Sequence, residues 1–317
     1  MNATPNASSA DNIREEIARL KKEKNALIMA HYYQRDEIQE IADFIGDSLA
    51  LAQQAAKTDA DVIVMCGVNF MGETAKILCP DKIVLIPDTA AGCSLADSCD
   101  PVEFEKFVSE HPDHTVISYV NTSAAVKAHT DIVVTSGNAR KIVEQLPEDE
   151  KIIFGPDHNL GEYINSVTGR NMLLWNGACH VHDRFSLEKI AEMKKQHLLA
   201  KVLVHPECRR PLQLIADKVG STAALLDFVT KDDAPEYIVV TESGILFEMR
   251  NKCPEKTFLA APAEDAECQC NECDFMKLNT LKKVYEALRD GKPEVNVDPE
   301  IAEKALRPIK RMLEMSL

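Results

Sequence analysis

Three successive α/β units, each a parallel sheet flanked by helices and all arranged about one central cavity, are the architecture the sequence predicts, on three observations. Apolar runs of strand character end at His31, Tyr119 and His205, spaced by 88 and 86 residues. A hydroxyl residue follows each at a constant offset of seventeen, giving Ser48, Ser136 and Thr222. A cysteine closes each unit: Cys93, then Cys179, then one of the cluster Cys268, Cys270 and Cys273. Landmarks of three classes recurring in the same order mark an internal repeat, and a repeat dictates architecture before any single element does.

The elements follow in order. Residues 1–25 read as a disordered tail rich in Asn, Ser and Ala, followed by a helix with Ile13, Ile17 and Leu20 on one face. The first repeat, 26–112, opens with a strand before His31, turns at Gly46-Asp47-Ser48 into helical spacing over 49–57, and continues with apolar strands at 62–66 and 83–86. The second, 113–198, has a strand before Tyr119, the turn Thr135-Ser136-Gly137, a helix over 139–146 and strands at 152–154 and 172–175. The third, 199–297, has a strand before His205, the turn Gly220-Ser221-Thr222, a helix over 223–229 and strands at 237–240 and 257–261. Residues 298–317 form a closing helix with Ile301, Ala305, Ile309 and Met312 on one face. Near-continuous apolar strands alternating with helices make parallel sheets covered on both faces. Ser48, Ser136 and Thr222 are expected as helix N-caps or first-turn residues.

Composition narrows the function. The 317 residues carry 36 Lys and Arg against 51 Asp and Glu, a net charge of −15, which argues against a broad basic face for nucleic acid or anionic membrane. The longest apolar runs, 62–68 and 83–86, are far below the roughly 18 residues of a membrane span. The start has no basic segment leading into an apolar one, so no signal peptide is expected and a reducing cytoplasm is. Ten cysteines in that compartment point to metal ligands or redox thiols rather than a disulfide framework.

In open parallel sheets ligands bind beyond the carboxyl ends of the strands. Three such units meeting there would bring a strand-end residue, a helix start and a cysteine from each into one cavity, and three helix N-termini would attract three anionic groups. Three distant cysteines suit zinc or an iron–sulfur cluster. Cys270-x-x-Cys273 keeps zinc in play, whereas three thiolates on a four-iron cluster would leave one iron open as a Lewis acid. The polar clusters His31-Tyr32-Tyr33, Tyr119-Val120-Asn121, Cys179-His180-Val181-His182 and His205-Pro206-Glu207 follow strands where structural loops usually carry Gly, Asn or Asp, and so point to acid–base work.

Taken together, the stretches Ala30 to Gln34, Gly46 to Ser48, Gly92 to Leu95, Tyr119 to Asn121, Val134 to Ser136, Met172 to Trp175 through His182, His205 to Glu207, Gly220 to Thr222 and Met276 to Thr280 resemble the quinolinate synthase A family over nearly the whole chain. The resemblance implies three Rossmann-like α/β/α domains in pseudo-threefold arrangement around a central iron–sulfur site. It also implies condensation of iminoaspartate with dihydroxyacetone phosphate to quinolinate in NAD biosynthesis, with an L-aspartate oxidase or dehydrogenase upstream. By position it makes Cys93, Cys179 and Cys273 the ligands of a [4Fe-4S] cluster with one open iron. It puts substrate on His31, Ser48, Tyr119, Asn121, Ser136, His205, Glu207 and Thr222, with Tyr33 and His182 near the reacting atoms. Glu207 and Tyr33 are the expected proton carriers, with His205 and His182 polarising oxygens. Where some members have Cys-x-x-Cys-x-x-Cys, this chain has Cys268-x-Cys270-x-x-Cys273, and the one-residue gap disfavours a disulfide between the upstream pair. The alternatives are another iron–sulfur hydratase or dehydratase of a small carboxylic acid, an iron–sulfur redox or sensor protein, and a zinc-stabilised scaffold. Aldolase chemistry through a Schiff base lacks a lysine recurring at strand ends.

Overall fold

The computed structural model describes residues 9–264 and 271–317. Residues 1–8 of the tail expected over residues 1–12, and the Cys268 and Cys270 positions, therefore lie outside the described residues; residues 9–12 belong instead to the helix Ser9–Glu23. Twelve strands form three four-stranded parallel sheets. The first contains β1 (Ala26–His31), β2 (Phe44–Gly46), β3 (Val62–Cys66) and β4 (Ile83–Leu85). The second contains β5 (Thr115–Tyr119), β6 (Ile132–Val134), β7 (Ile152–Gly155) and β8 (Leu173–Leu174), and the third β9 (Lys201–Val204), β10 (Lys218–Val219), β11 (Glu236–Val240) and β12 (Thr257–Ala260). Each sheet has its second strand at one edge, in the order second, first, third, fourth, so the three-unit α/β/α architecture is as expected. The central strands are buried on both faces, with Ile28, Met29, Ile63, Val64, Ile117, Ile153, Leu203 and Ile238 in the cores.

Sequence patterning missed β2, β6 and β10. They are two or three residues long, too short to show a hydrophobic period, and they stand just before the hydroxyl landmarks. Each is paired to the neighbouring first strand, with Gly46 opposite His31, Val134 opposite Tyr119 and Val219 opposite Val204. That pairing carries the chain back to the strand end at which the next helix begins.

Those helix starts make Ser48 and Thr222 first-turn residues rather than caps, as one of the two expected alternatives had it, and leave Ser136 outside its helix. Ser48 and Thr222 are the first residues of helices Ser48–Ala55 and Thr222–Lys231, and the caps are their predecessors: Asp47 accepts from Ala50 N (3.0 Å) and Ser221 from Ala224 N (3.3 Å). With a dedicated cap one residue earlier, the landmark hydroxyls stay available to the cavity. In the second unit the helix Ala139–Glu144 starts later, with Asn138 at its cap position, and Ser136 lies in the turn ahead of it.

The ends tie the units together. Ile17 and Leu20 of the helix Ser9–Glu23 bury against the first sheet beside Leu281, Val284 and Leu288 of the helix Leu281–Asp290, so the chain returns to its first sheet after leaving the third. The helix Pro299–Met315 buries Ala305, Ile309 and Met312 across β6 and the helix Asn69–Leu78, bridging the first two units. No helix among the described residues is long and apolar enough to cross a membrane.

Candidate active site

The carboxyl ends of the three sheets open onto one cavity lined by residues of all three units. All the site residues expected from sequence line it: His31, Tyr33, Ser48, Cys93, Tyr119, Asn121, Ser136, Cys179, His182, His205, Glu207, Thr222 and Cys273. Among the described residues, no lysine or arginine lines it. Asn121 Oδ1 is buried with no partner in the protein, an orphan acceptor that a bound molecule would satisfy.

Glu207 is the hub. Tyr119 Oη donates to its Oε1 at 2.5 Å, and its Oε2 lies 3.0 Å from His182 Nδ1. Burial opposes ionisation, but the charge of His182, with the hydrogen bonds from His182 and Tyr119, outweighs it and holds the carboxyl below the usual carboxylate range. His182 Nε2 meets Thr241 Oγ1 (2.9 Å), which meets Tyr33 Oη (2.7 Å), itself 2.8 Å from Thr222 Oγ1. A continuous hydrogen-bonded path thus runs from Tyr33 of the first unit through Thr241, His182 and Glu207 to Tyr119 of the second. Burial pushes both phenols well above their ordinary value, so they are neutral donors.

The two strand-end histidines share one device. Tyr33 N–H donates to His31 Nδ1 (3.1 Å) and Glu207 N–H to His205 Nδ1 (3.4 Å), which leaves the proton of each neutral ring on Nε2. His205 Nε2 then reaches Ser136 Oγ at 3.3 Å, and its ring stacks on His182 at 4.5 Å. Burial holds both rings at about 3, so they serve as neutral donors and not as cations.

Cys93, Cys179 and Cys273 are half-buried free thiols, one from each unit, facing this cavity. Burial pushes Cys93 up to about 12 and Cys273 to about 11, and Cys179 well above its ordinary value, Glu207 and the other two thiols adding to the effect. A bound cationic group would relieve this cost. The three do not all lie within 4.8 Å of one another, whereas sulfurs 2.3 Å from one zinc would be roughly 3.8 Å apart. Three thiols on one cavity wall could hold a metal centre. A tighter group, Cys179, His182 and Glu207, does have its ligand atoms within 4.8 Å and could hold a metal ion.

The model of the quinolinate synthetase A protein family matches residues 15–314. The chain belongs to this family of enzymes. Among curated relatives, the quinolinate synthase of Microcystis aeruginosa is 54% identical over 313 residues, covering 99% of this chain and 98% of the relative. That of Thermosynechococcus vestitus is 55% identical over 300 residues (95% and 94%), and that of Chloroherpeton thalassium 53% over 302 (95% and 94%).

Several site residues escaped the sequence reading of this family member. Thr241 and Glu242 follow β11 and Asp157 follows β7, so the strand-end rule that singled out His31, Tyr119 and His205 would have found them had it been applied to the third strand of each unit. Ser94, whose Oγ meets His180 Nδ1 at 2.5 Å across the first and second units, carried no signal beyond its place after Cys93.

Proposed function

We propose that the chain condenses iminoaspartate with dihydroxyacetone phosphate to quinolinate, phosphate and two waters, in the cavity where the three sheets meet. The observation that carries this reading is the path from Tyr33 to Tyr119 through Glu207, beside three thiols in one cavity. A reaction that forms a ring by enolisation and dehydration moves several protons, and it needs linked donors and acceptors on both sides of the substrate. Cys93, Cys179 and Cys273 would hold a [4Fe-4S] cluster, which supplies a Lewis acid to help hydroxide depart.

Ionised Glu207 is the base and passes the proton it takes on through His182, and Tyr33 is the proton donor on the opposite side. His31 and His205 present Nε2–H to substrate oxygens. Ser48 and Thr222, at the first turns of two helices, offer hydroxyls and backbone N–H groups to carboxylate or phosphate, and Asn121 and Ser136 complete the polar wall. With no Lys or Arg among the described residues of the wall, anions are held by dipoles and hydrogen bonds. The six-residue helix after Ser136 is too short and too far along the chain to provide a third such helix end.

Iminoaspartate hydrolyses readily, so this reading places an L-aspartate oxidase or dehydrogenase upstream, in the cytoplasm. Anaerobic incubation of the iron-reconstituted protein with oxaloacetate, ammonia and dihydroxyacetone phosphate is expected to yield quinolinate. Iron-replete protein that makes none would overturn the reading.

A further inference from the structure

The loops that carry the three cysteines are anchored by a device the repeat makes visible. In each unit, a backbone N–H three residues past the end of the third strand donates to the carbonyl two residues before the cysteine: Asn69 to Ala91 (2.8 Å), His158 to Gly177 (2.8 Å) and Ser243 to Asn271 (2.9 Å). The residue just ahead of each donor is Val68, Asp157 and Glu242. In the second and third units that residue is a fully buried carboxylate, and it accepts the amide hydrogen of the cysteine itself. Cys179 N–H donates to Asp157 Oδ2 at 2.9 Å and Cys273 N–H to Glu242 Oε1 at 3.1 Å. The second oxygen of each holds its own strand-end loop, Asp157 Oδ1 accepting from Leu160 N (2.9 Å) and Glu242 Oε2 from Gly244 N (2.7 Å).

We propose that Asp157 and Glu242 are positioning residues that preset the Cys179 and Cys273 loops for metal binding, while Cys93 has Val68, which carries no acceptor, at the equivalent place. The inference rests on the reading that these thiols carry the iron–sulfur group. A carboxyl group suits the task because it has an acceptor oxygen for each of two amides. An amide side chain has one acceptor oxygen, so at the same place it would turn NH₂ toward one of the two N–H groups. In the third unit Lys277 extends the clamp. Its Nζ lies 2.9 Å from Glu242 Oε1 and donates to the Tyr33 carbonyl at 2.8 Å, joining the Cys273 loop to the loop that carries the phenol.

Asp157→Asn and Glu242→Gln, made in the full chain, test this by amide hydrogen exchange in the metal-free protein and by iron release to a chelator after reconstitution. Asp157→Asn keeps an acceptor for Leu160 N–H, so the helix cap survives. We expect exchange at the Cys179 segment to quicken about tenfold in Asp157→Asn and at the Cys273 segment in Glu242→Gln, the Cys93 segment staying unchanged in both. Iron release should quicken by a similar factor in each. Unchanged exchange at the matching loop, or equal loosening of all three loops, would overturn the proposal. If Asp157→Asn does not fold, Asp157→Ser, which also caps a helix, is read the same way. The exchange experiment needs no metal; failure of the wild-type protein to take up iron would instead count against the thiols as ligands.

Discussion

The phenol of Tyr119, at the end of β5 in the second unit, donates a 2.5 Å hydrogen bond to Oε1 of Glu207, two residues past His205 in the third. Neither group is exposed, and the bond crosses the junction of two sheets. It ties proton traffic at Glu207 to the contact between units. Glu207→Gln is expected to lower kcat by about 10²–10⁴ with little change in KM, as removal of a general base does. Tyr119→Phe should fall in the same direction by a smaller factor. Anaerobic quinolinate assays on iron-matched samples check both, and near-normal turnover in Glu207→Gln would remove it as the base.

Thr241 touches both Tyr33 and His182 but stands behind the cavity wall. Thr241→Val keeps the shape and cuts the path between them. The expected result is a fall in kcat of roughly tenfold or more at unchanged KM, with the pH profile of kcat displaced; Thr241→Ser should restore both. A variant altered in KM alone would mean that the hydroxyl matters only for binding.

Replacing any one of Cys93, Cys179 and Cys273 by Ser is expected to strip most of the iron measured per chain after anaerobic reconstitution. Cys66→Ser and Cys208→Ser serve as controls. Both thiols are fully buried away from the cavity, and these variants should retain iron if they fold. Full iron retention in Cys273→Ser would remove that residue as a ligand.

Acid sensitivity follows from the two neutral histidines. In the unfolded chain they titrate near 6.5, whereas burial, joined for His205 by the charge of His182, holds both at about 3 in the fold. Between those values the unfolded chain binds more protons. The stabilising effect is therefore complete above pH 6.5 and is lost as pH falls toward 3, by about 1.4 kcal/mol per pH unit for each ring. Urea unfolding of the metal-free protein as a function of pH should show this slope, and His31→Asn should reduce it by one proton.

Gly244 lies where a Cβ would stand 2.8 Å from the Tyr32 carbonyl oxygen, from the Tyr33 carbonyl carbon and from Glu242 Oε2. Backbone cannot yield as a side-chain tip can. Gly244→Ala is expected to cost about 1–3 kcal/mol in unfolding free energy. The strain falls on the Tyr33 loop, so turnover should drop more than stability does.

Much of this site is legible in the sequence because parallel sheets collect their strand ends. His31, Tyr119 and His205 at near-equal spacing announce three such ends, and the hydroxyl and cysteine landmarks announce what lies beside them. The second strands were not legible, since two or three residues carry no period. Whether Ser48 and Thr222 cap their helices or begin them was not legible either; Asp47 and Ser221 do the capping and leave both hydroxyls for the cavity. Asp157 and Glu242 stand at third-strand ends, a position the sequence shows, but their hydrogen bonds to cysteine amides are visible only in the structure.

The sequence by itself determined the three-unit repeat, the parallel sheets and the landmark residues at their strand ends, since each follows from local hydrophobic pattern and position relative to a strand end. Only the tertiary structure decided which wall residues touch. Tyr33 with Thr241, Tyr119 with Glu207 and Ser94 with His180 all join different units, 208, 88 and 86 residues apart in the chain. Periodicity places a side chain on a face or at an edge; it carries no information about the packing between sheets, and hydrogen bonds of less than 3 Å are set by that packing.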